Sequence, residues 1–340
     1  MKKHLATFCG IMAFLFGANN AFAQEQTRVN LRMEARGDVQ YENIDGLTMD
    51  GSTGFRGKQL NLRLDGNINE AWSYSYRQRM GKPNSDASYF DAVDWINLTY
   101  TTGAWAFSGG KQVVAVGGYE YDRAPLDFYF GSEYWYNMAC YQWGVSATYN
   151  LGTEHNDVLK MQVAQSSFRS AANPNMYSYN LLWSGSYGNF DILHSVNMLE
   201  YQPGKYVNFI ALGHQIYMED LTLQLDWMNR ADMNDFGFDD FSIMADLSWS
   251  ASDKFNLFGK VTYDINVDNF ADYCVLPGTE LTRVGAGVEY FPIEGSREVR
   301  LHAGYSYAWR YNGNLAAGTK WYDHSFLTLG ATWKMSILNR

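Results

Sequence analysis

From residue 53 to the end of the chain one unit recurs: an alternating strand, a tight turn, a second alternating strand and a longer polar link. In the segment 221–227, Leu221, Leu223, Leu225 and Trp227 share one face, and Thr222, Gln224 and Asp226 the other. Successive side chains of a strand point to opposite sides, so a period of two separates an apolar surface from a polar one. Strands of about ten residues with this pattern, repeated along a whole chain, predict a transmembrane antiparallel β-barrel. Its apolar face would meet lipid and its polar face a water-filled lumen.

Strands are expected near 28–41, 54–66, 72–80, 91–101, 105–116, 139–150, 157–168, 177–187, 190–199, 206–217, 221–229, 240–250, 255–263, 280–291, 298–309 and 324–337, sixteen in all. The first, fourth and fifth alternate least cleanly. Seven links are short and rich in Gly, Asn, Asp and Ser, among them Thr102-Gly103, Gly188-Asn189 and Glu219-Asp220. Eight longer links, 42–53, 81–90, 117–138, 169–176, 200–205, 230–239, 264–279 and 310–323, fall between them. Strict alternation of short and long is the pattern of a barrel with short periplasmic turns, longer outer loops and an even strand number. The last strand alternates Leu327, Leu329, Ala331, Trp333, Met335 and Ile337 against polar or small residues, then ends Ile-Leu-Asn-Arg without a terminal aromatic residue.

A mean hydropathy of -0.33 would suit a soluble protein, but a barrel hides its apolar half in alternation. With 25 Tyr, 20 Phe and 11 Trp, aromatic residues make up 16% of the chain, a load that girdles at two lipid interfaces would use. Lys2 and Lys3, the apolar run from Leu5 to Phe16 and Ala21-Phe22-Ala23 read as a signal peptide, residues 1–23, cleaved before Gln24. The barrel then occupies 24–340, in the outer membrane of a Gram-negative bacterium. Cleavage removes Lys2 and Lys3 from 26 basic residues and none of the 36 acidic ones, leaving a net charge of -12. Such a balance argues against nucleic acid as a partner. Cys140 and Cys274 remain, too few for a cysteine-based metal framework. Their places near the outer ends of their elements allow a disulfide, with two independent thiols as the preferred reading.

Sixteen strands enclose a channel rather than a packed core, so selectivity must come from lumen charges and from whatever narrows the bore. Alternation turns Arg63, Arg77, Arg79, Lys160, Lys260, Arg283, Arg300 and Lys334 inward, with Asp65, Asp191, Asp226, Asp246 and Glu289. A midplane Arg or Lys facing lipid would cost roughly 2–4 kcal/mol, which independently favours the lumen. The longest link, 117–138, carries Tyr119, Tyr121, Phe128, Tyr129, Phe130, Tyr134, Trp135 and Tyr136. So many aromatic rings need a surface to pack on, and folding inward against the wall would supply one and constrict the pore. A loop lying across the top, or on a neighbouring subunit, is the rival arrangement. Arg77, Arg79, Lys111 and Arg123 are candidate basic contacts at a constriction, opposed by Glu120, Asp122, Asp127 and Glu133. Strict alternation would turn Lys111 outward unless Gly109-Gly110 make a bulge.

Gly54-Phe-Arg-Gly57 leading into Leu60-Asn-Leu-Arg-Leu64, then Asp91-Ala-Val-Asp-Trp95, Gly109-Gly-Lys-Gln112 and the long third loop resemble the phosphate-selective porin O and P family. The resemblance covers most of the mature chain. It implies a sixteen-stranded outer-membrane porin, homotrimeric, with an inward third loop and phosphate or anion selectivity set by basic side chains. The loop's own residues give a different expectation. Arg123 is its one basic residue among Glu120, Asp122, Asp127 and Glu133. They suit a passive channel for small hydrophilic solutes or ions, weakly cation-preferring or nearly unselective.

Two other classes compete. An enzyme would need a nucleophile and a base, and His194 and Ser195, neighbours in a strand, face opposite sides. The sequence also has no Gly-x-Ser-x-Gly elbow and no metal-spaced histidine pair, so no catalytic, cofactor or metal residue is expected. A non-conducting adhesin or structural barrel would share the fold and differ in passing no ions.

Overall fold

The computed structural model describes residues 29–81, 89–232, 238–267, 274–312 and 323–339; the expected signal peptide lies outside them. The chain runs β1 (Val29–Ile44), β2 (Leu47–Thr48), β3 (Gly54–Asn67), β4 (Trp72–Arg79), β5 (Val93–Thr102), β6 (Trp105–Val113), β7 (Tyr141–Asn150), β8 (Val158–Gln165) and β9 (Tyr177–Ser186). It continues through β10 (Phe190–Gln202), β11 (Lys205–Met218), β12 (Leu221–Asp232), β13 (Asp240–Trp249), β14 (Phe255–Asn266), β15 (Thr279–Tyr290), β16 (Val299–Asn312) and β17 (Asp323–Asn339). The two-residue β2 only folds back on the end of β1. The other sixteen form the wall, each antiparallel to its neighbours, and β1 closes on β17 from Asn30↔Asn339 to Ile44↔His324. Closure pairs every strand on both sides, which is what allows a sheet to cross lipid with no unsatisfied edge.

The burial pattern is inverted relative to a soluble protein. Leu225, Ile243, Leu247 and Val261 are 39–44% exposed, whereas Asp226, Asp246, Lys260 and Thr262 are buried. Outward residues are apolar, as a surface turned to lipid requires; inward ones are polar, and an inserted loop covers many of them. Expected strand ends agree with the observed ones to within three residues.

The irregular strands owe their weak alternation to shifts of register. β1 slips against β17 at Leu31/Arg32 and against β3 at Arg36/Gly37, and β5 slips against β4 at Arg77/Gln78. In β6, Gly110 has φ 130°, and a Cβ there would stand 2.2 Å from the Ile96 carbonyl oxygen. Only glycine fits.

Two links differ from expectation. The run expected as strand to residue 116 leaves the wall at Val113, because Val114, Ala115 and Val116 are apolar for packing inside the barrel rather than on lipid. The outer link expected over 200–205 shrinks to two residues, 203 and 204, because β10 and β11 keep pairing up to Gln202↔Lys205. Short and long links therefore do not alternate at that point.

Candidate functional site: a loop laid along the inner wall

The segment joining β6 to β7, residues 114–140, enters the barrel. Its root lies on the inner faces of β8 and β10. The Ala115 N–H donates to Gln162 Oε1 (2.7 Å), Asn197 Nδ2 donates to the Ala115 carbonyl (2.8 Å), and the Gly117 N–H donates to Ser195 Oγ (2.8 Å). A Cβ on Gly117 would stand 2.6 Å from the Leu193 carbonyl oxygen and 3.0 Å from the Ser195 nitrogen, both backbone atoms that cannot yield. Gly117→Val should lift the root off β10, and faster proteolysis within the loop would report it.

Beyond the root the loop is pinned residue by residue. Helix α1 (Tyr119–Asp122) starts on Asp226 of β12, whose carboxylate accepts the N–H groups of Tyr119 (2.9 Å) and Glu120 (2.6 Å). Glu120 pairs with Lys260 of β14 at 2.5 Å and accepts the Ser132 hydroxyl. Arg123 reaches Asp246 of β13 (2.9 Å) and Gln224 of β12 (2.6 Å). At the far end, Asp127 binds Arg300 of β16 (2.8 Å) and Lys334 of β17 (3.3 Å). Burial by itself would raise the Asp127 carboxyl, but those two cations hold it down to about 2. Arg36 of β1 donates to the carbonyl of Phe128 (2.5 Å), and the Tyr129 hydroxyl to Glu289 of β15 (2.7 Å).

The return arm follows the same wall. Arg283 of β15 donates to the Gly131 carbonyl and lies 3.6 Å from Glu133, whose own N–H donates to Asp264 of β14 (3.0 Å). Helix α2 (Glu133–Asn137) is capped by Ser132, and Asn137 Nδ2 donates to the Cys274 carbonyl (2.8 Å). Beneath the polar contacts, Tyr121 and Tyr134 pack with Leu199, Val207, Phe209 and Met228. This cluster is why β11 reads as apolar on both faces: one meets lipid, the other the loop. Cys274 belongs to the same cluster with Cys140 at its edge, and no disulfide joins them.

Loop 114–140 thus covers the inner faces of β8 to β17 and of β1 and touches β3, and the remaining inner face, from β3 to β7, lies across from it. On that uncovered side the charges sit in shared pairs. Asp65 takes Arg63 (2.6 Å) and Arg32 (3.5 Å), and Asp94 takes Arg79 (2.6 Å) and Arg77 (3.4 Å). The guanidinium groups of Arg63 and Arg77 both lie over the Trp95 ring, 5.6 and 4.9 Å from its centroid. Lys160 on β8 is within electrostatic reach of Asp122.

Lys111 stands apart from this group. It pairs in register with Ile96 and Trp143, two exposed outer residues, and β6 keeps its register with both neighbours. Its ammonium donates to the carbonyl groups of Phe90 (2.9 Å) and Val93 (2.6 Å) on the outer side of the wall. Gly110 strains the backbone without adding the extra residue that would have turned Lys111 inward. Reading the sequence also missed Arg36 as a loop anchor, because the register slip beside it hides the alternation of β1.

Burial lifts the Asp122 carboxyl to about 6, with Lys160 opposing part of the rise. Since its folded pKa is raised, ionisation above that pH works against the inward placement of the loop, and protonation below it favours that placement. The lumen should therefore be more negative above about pH 6, and its relative permeability to cations should fall as the pH drops through that value. Reversal potentials across that range test this, and Asp122→Asn should reduce the change.

A sequence model of the phosphate-selective porin O and P family matches residues 29–211. No curated protein matches the sequence. Among solved structures, the outer membrane channel DcaP of Acinetobacter baumannii is similar with a TM-score of 0.66 at 13% identity, covering 92% of this chain and 99% of that one. The trimer form of in-vitro folded OmpT, an outer membrane protein of Vibrio cholerae, gives 0.61 at 14% identity, covering 92% and 100%. At such identities the likeness speaks for the fold. The family match spans more than half of the chain, and this protein belongs to the phosphate-selective porin O and P family of outer-membrane channels for passive diffusion.

Proposed function

We propose that loop 114–140 sets the narrowest cross-section of this channel, and that small hydrophilic solutes and ions pass between it and the inner face of β3 to β7 with weak cation preference. The observation that carries the reading is the engagement of the opposite wall. Lys260, Arg283, Arg300 and Lys334, which could have formed a basic path, each have a carboxylate of the loop within 4 Å. Arg63, Arg77 and Arg79 share Asp65 and Asp94. Paired charges keep the wall wet and contribute little net field, and the mature chain's excess of acidic residues tips the balance towards cations. Export through cleavage before Gln24 and assembly as a homotrimer complete the reading; the trimeric form of OmpT supports the second.

Planar-bilayer conductance with reversal potential under a salt gradient tests it. Stepwise channels with cation preference are expected. Anion preference blocked by phosphate would instead give this protein the selectivity in the family's name, and absence of conductance would make it a structural barrel. Trimerisation is checked separately by the mass of the detergent-solubilised particle.

A further inference from the structure

Two imidazoles face the lipid. His194 on β10 and His214 on β11 belong to the same outward set as Ile192, Val196, Leu212 and Ile216. The register pairs His194 with Leu212 and Ile192 with His214, so the two rings are diagonal neighbours across one strand pair. Their Nε2 atoms are 3.2 Å apart and their planes meet at 74°. Ionisable side chains on a lipid-facing surface are costly and uncommon, and two placed nitrogen to nitrogen call for a physical account.

We propose that His194 and His214 form a two-imidazole site for a divalent transition-metal cation, Zn2+ or Cu2+, on the outer wall of the barrel. Imidazole nitrogens bind such ions at about 2.0–2.1 Å, and two donors 3.2 Å apart then subtend about 100° at the metal, close to a tetrahedral or square arrangement. In the metal-free pair one Nε2–H donates to the other ring's lone pair. Metal binding moves that proton to Nδ1 of the same ring, so both Nε2 lone pairs coordinate and the neutral pair releases no proton.

Neighbouring rings hold the pair in place. Trp183 meets His194 edge-on at 5.9 Å between centroids, and Phe190 stacks on His214 at 5.5 Å. Among the described residues no group of three or more His, Cys, Asp and Glu is placed to hold a metal, so the remaining coordination positions are left to oxygen donors from outside the chain. Those donors are within reach. Each histidine lies four residues from the short-turn end of its strand. At about 3.3 Å per residue and a tilt near 45°, that is roughly 10 Å from the rim, in the aromatic girdle rather than mid-bilayer.

Cu2+ titration of the refolded protein in detergent, read by electron paramagnetic resonance, tests the site. One Cu2+ per chain with hyperfine structure from two nitrogens is expected, displaced by excess Zn2+. His194→Gln and His214→Gln should each weaken binding by more than about tenfold. His155→Gln, in the nearby periplasmic turn, should leave it unchanged. Uptake by His194→Gln and His214→Gln equal to that of the unaltered protein, or no stoichiometric uptake by the latter, would overturn the proposal and leave a plain hydrogen-bonded pair. Heat-modifiable gel migration confirms that each variant is folded before it is scored.

Discussion

Removal of residues 120–133 should raise single-channel conductance severalfold. Residues 120–133 run along the inner faces of β12 to β17 and of β1, so their loss widens the aqueous cross-section on that whole side. The wall should survive, because its sixteen strands pair with one another independently of the loop. Lys260, Arg283, Arg300 and Asp226 would lose their loop partners but gain water, which removes most of the penalty an unpaired charge carries in a dry interior. Conductance measured in planar bilayers on refolded protein reads the effect. An unchanged conductance would mean that the narrowest point lies elsewhere in the barrel.

Lys260→Met should release the loop while leaving it in the chain. The Lys260–Glu120 pair is 2.5 Å long, and both side chains are almost wholly buried. Removing one partner of a buried pair typically costs about 3–5 kcal/mol, because the other is left as an uncompensated charge. Glu120 keeps only the N–H (3.1 Å) and the hydroxyl of Ser132, and the ammonium's contact with the Phe128 ring at 4.7 Å is lost as well. That cost exceeds what one end of a loop can bear, so the free energy falls on the loop's docking rather than on the strand ladder. Trypsin should then cleave after Arg123 much faster than in the unaltered protein, and the open-channel current should flicker. Glu120→Gln combined with Lys260→Met should recover most of the protection, since neither charge remains. A double variant as labile as Lys260→Met would mean that the lysine acts through packing and not through the pair.

Much of the barrel was legible from the chain. Strand positions follow from alternation alone, because the period of two is imposed by backbone geometry and one face of each strand meets a uniform solvent, lipid. Inward assignment of Asp226, Lys260 and Arg283 follows for the same reason, and so does the need of Tyr121 and Tyr134 for a surface to pack on. Legibility failed where local geometry departs from the ideal strand. The slip at Arg36/Gly37 obscured an anchor of the loop, and the run Val114–Val116 looked like strand because apolar residues that pack within the barrel resemble those that face lipid.

The sequence by itself determined the number of strands, their faces and the presence of a long aromatic third loop, since each is written within about ten consecutive residues. Only the tertiary structure decided which wall the loop covers, which cations it neutralises, that Lys111 lies outside, and that His194 and His214, twenty residues apart, meet nitrogen to nitrogen. Those outcomes depend on register between strands and on contacts between residues such as Glu120 and Lys260 that lie far apart along the chain. Closing the sheet on itself brings them together, and no local pattern records where that closure places them.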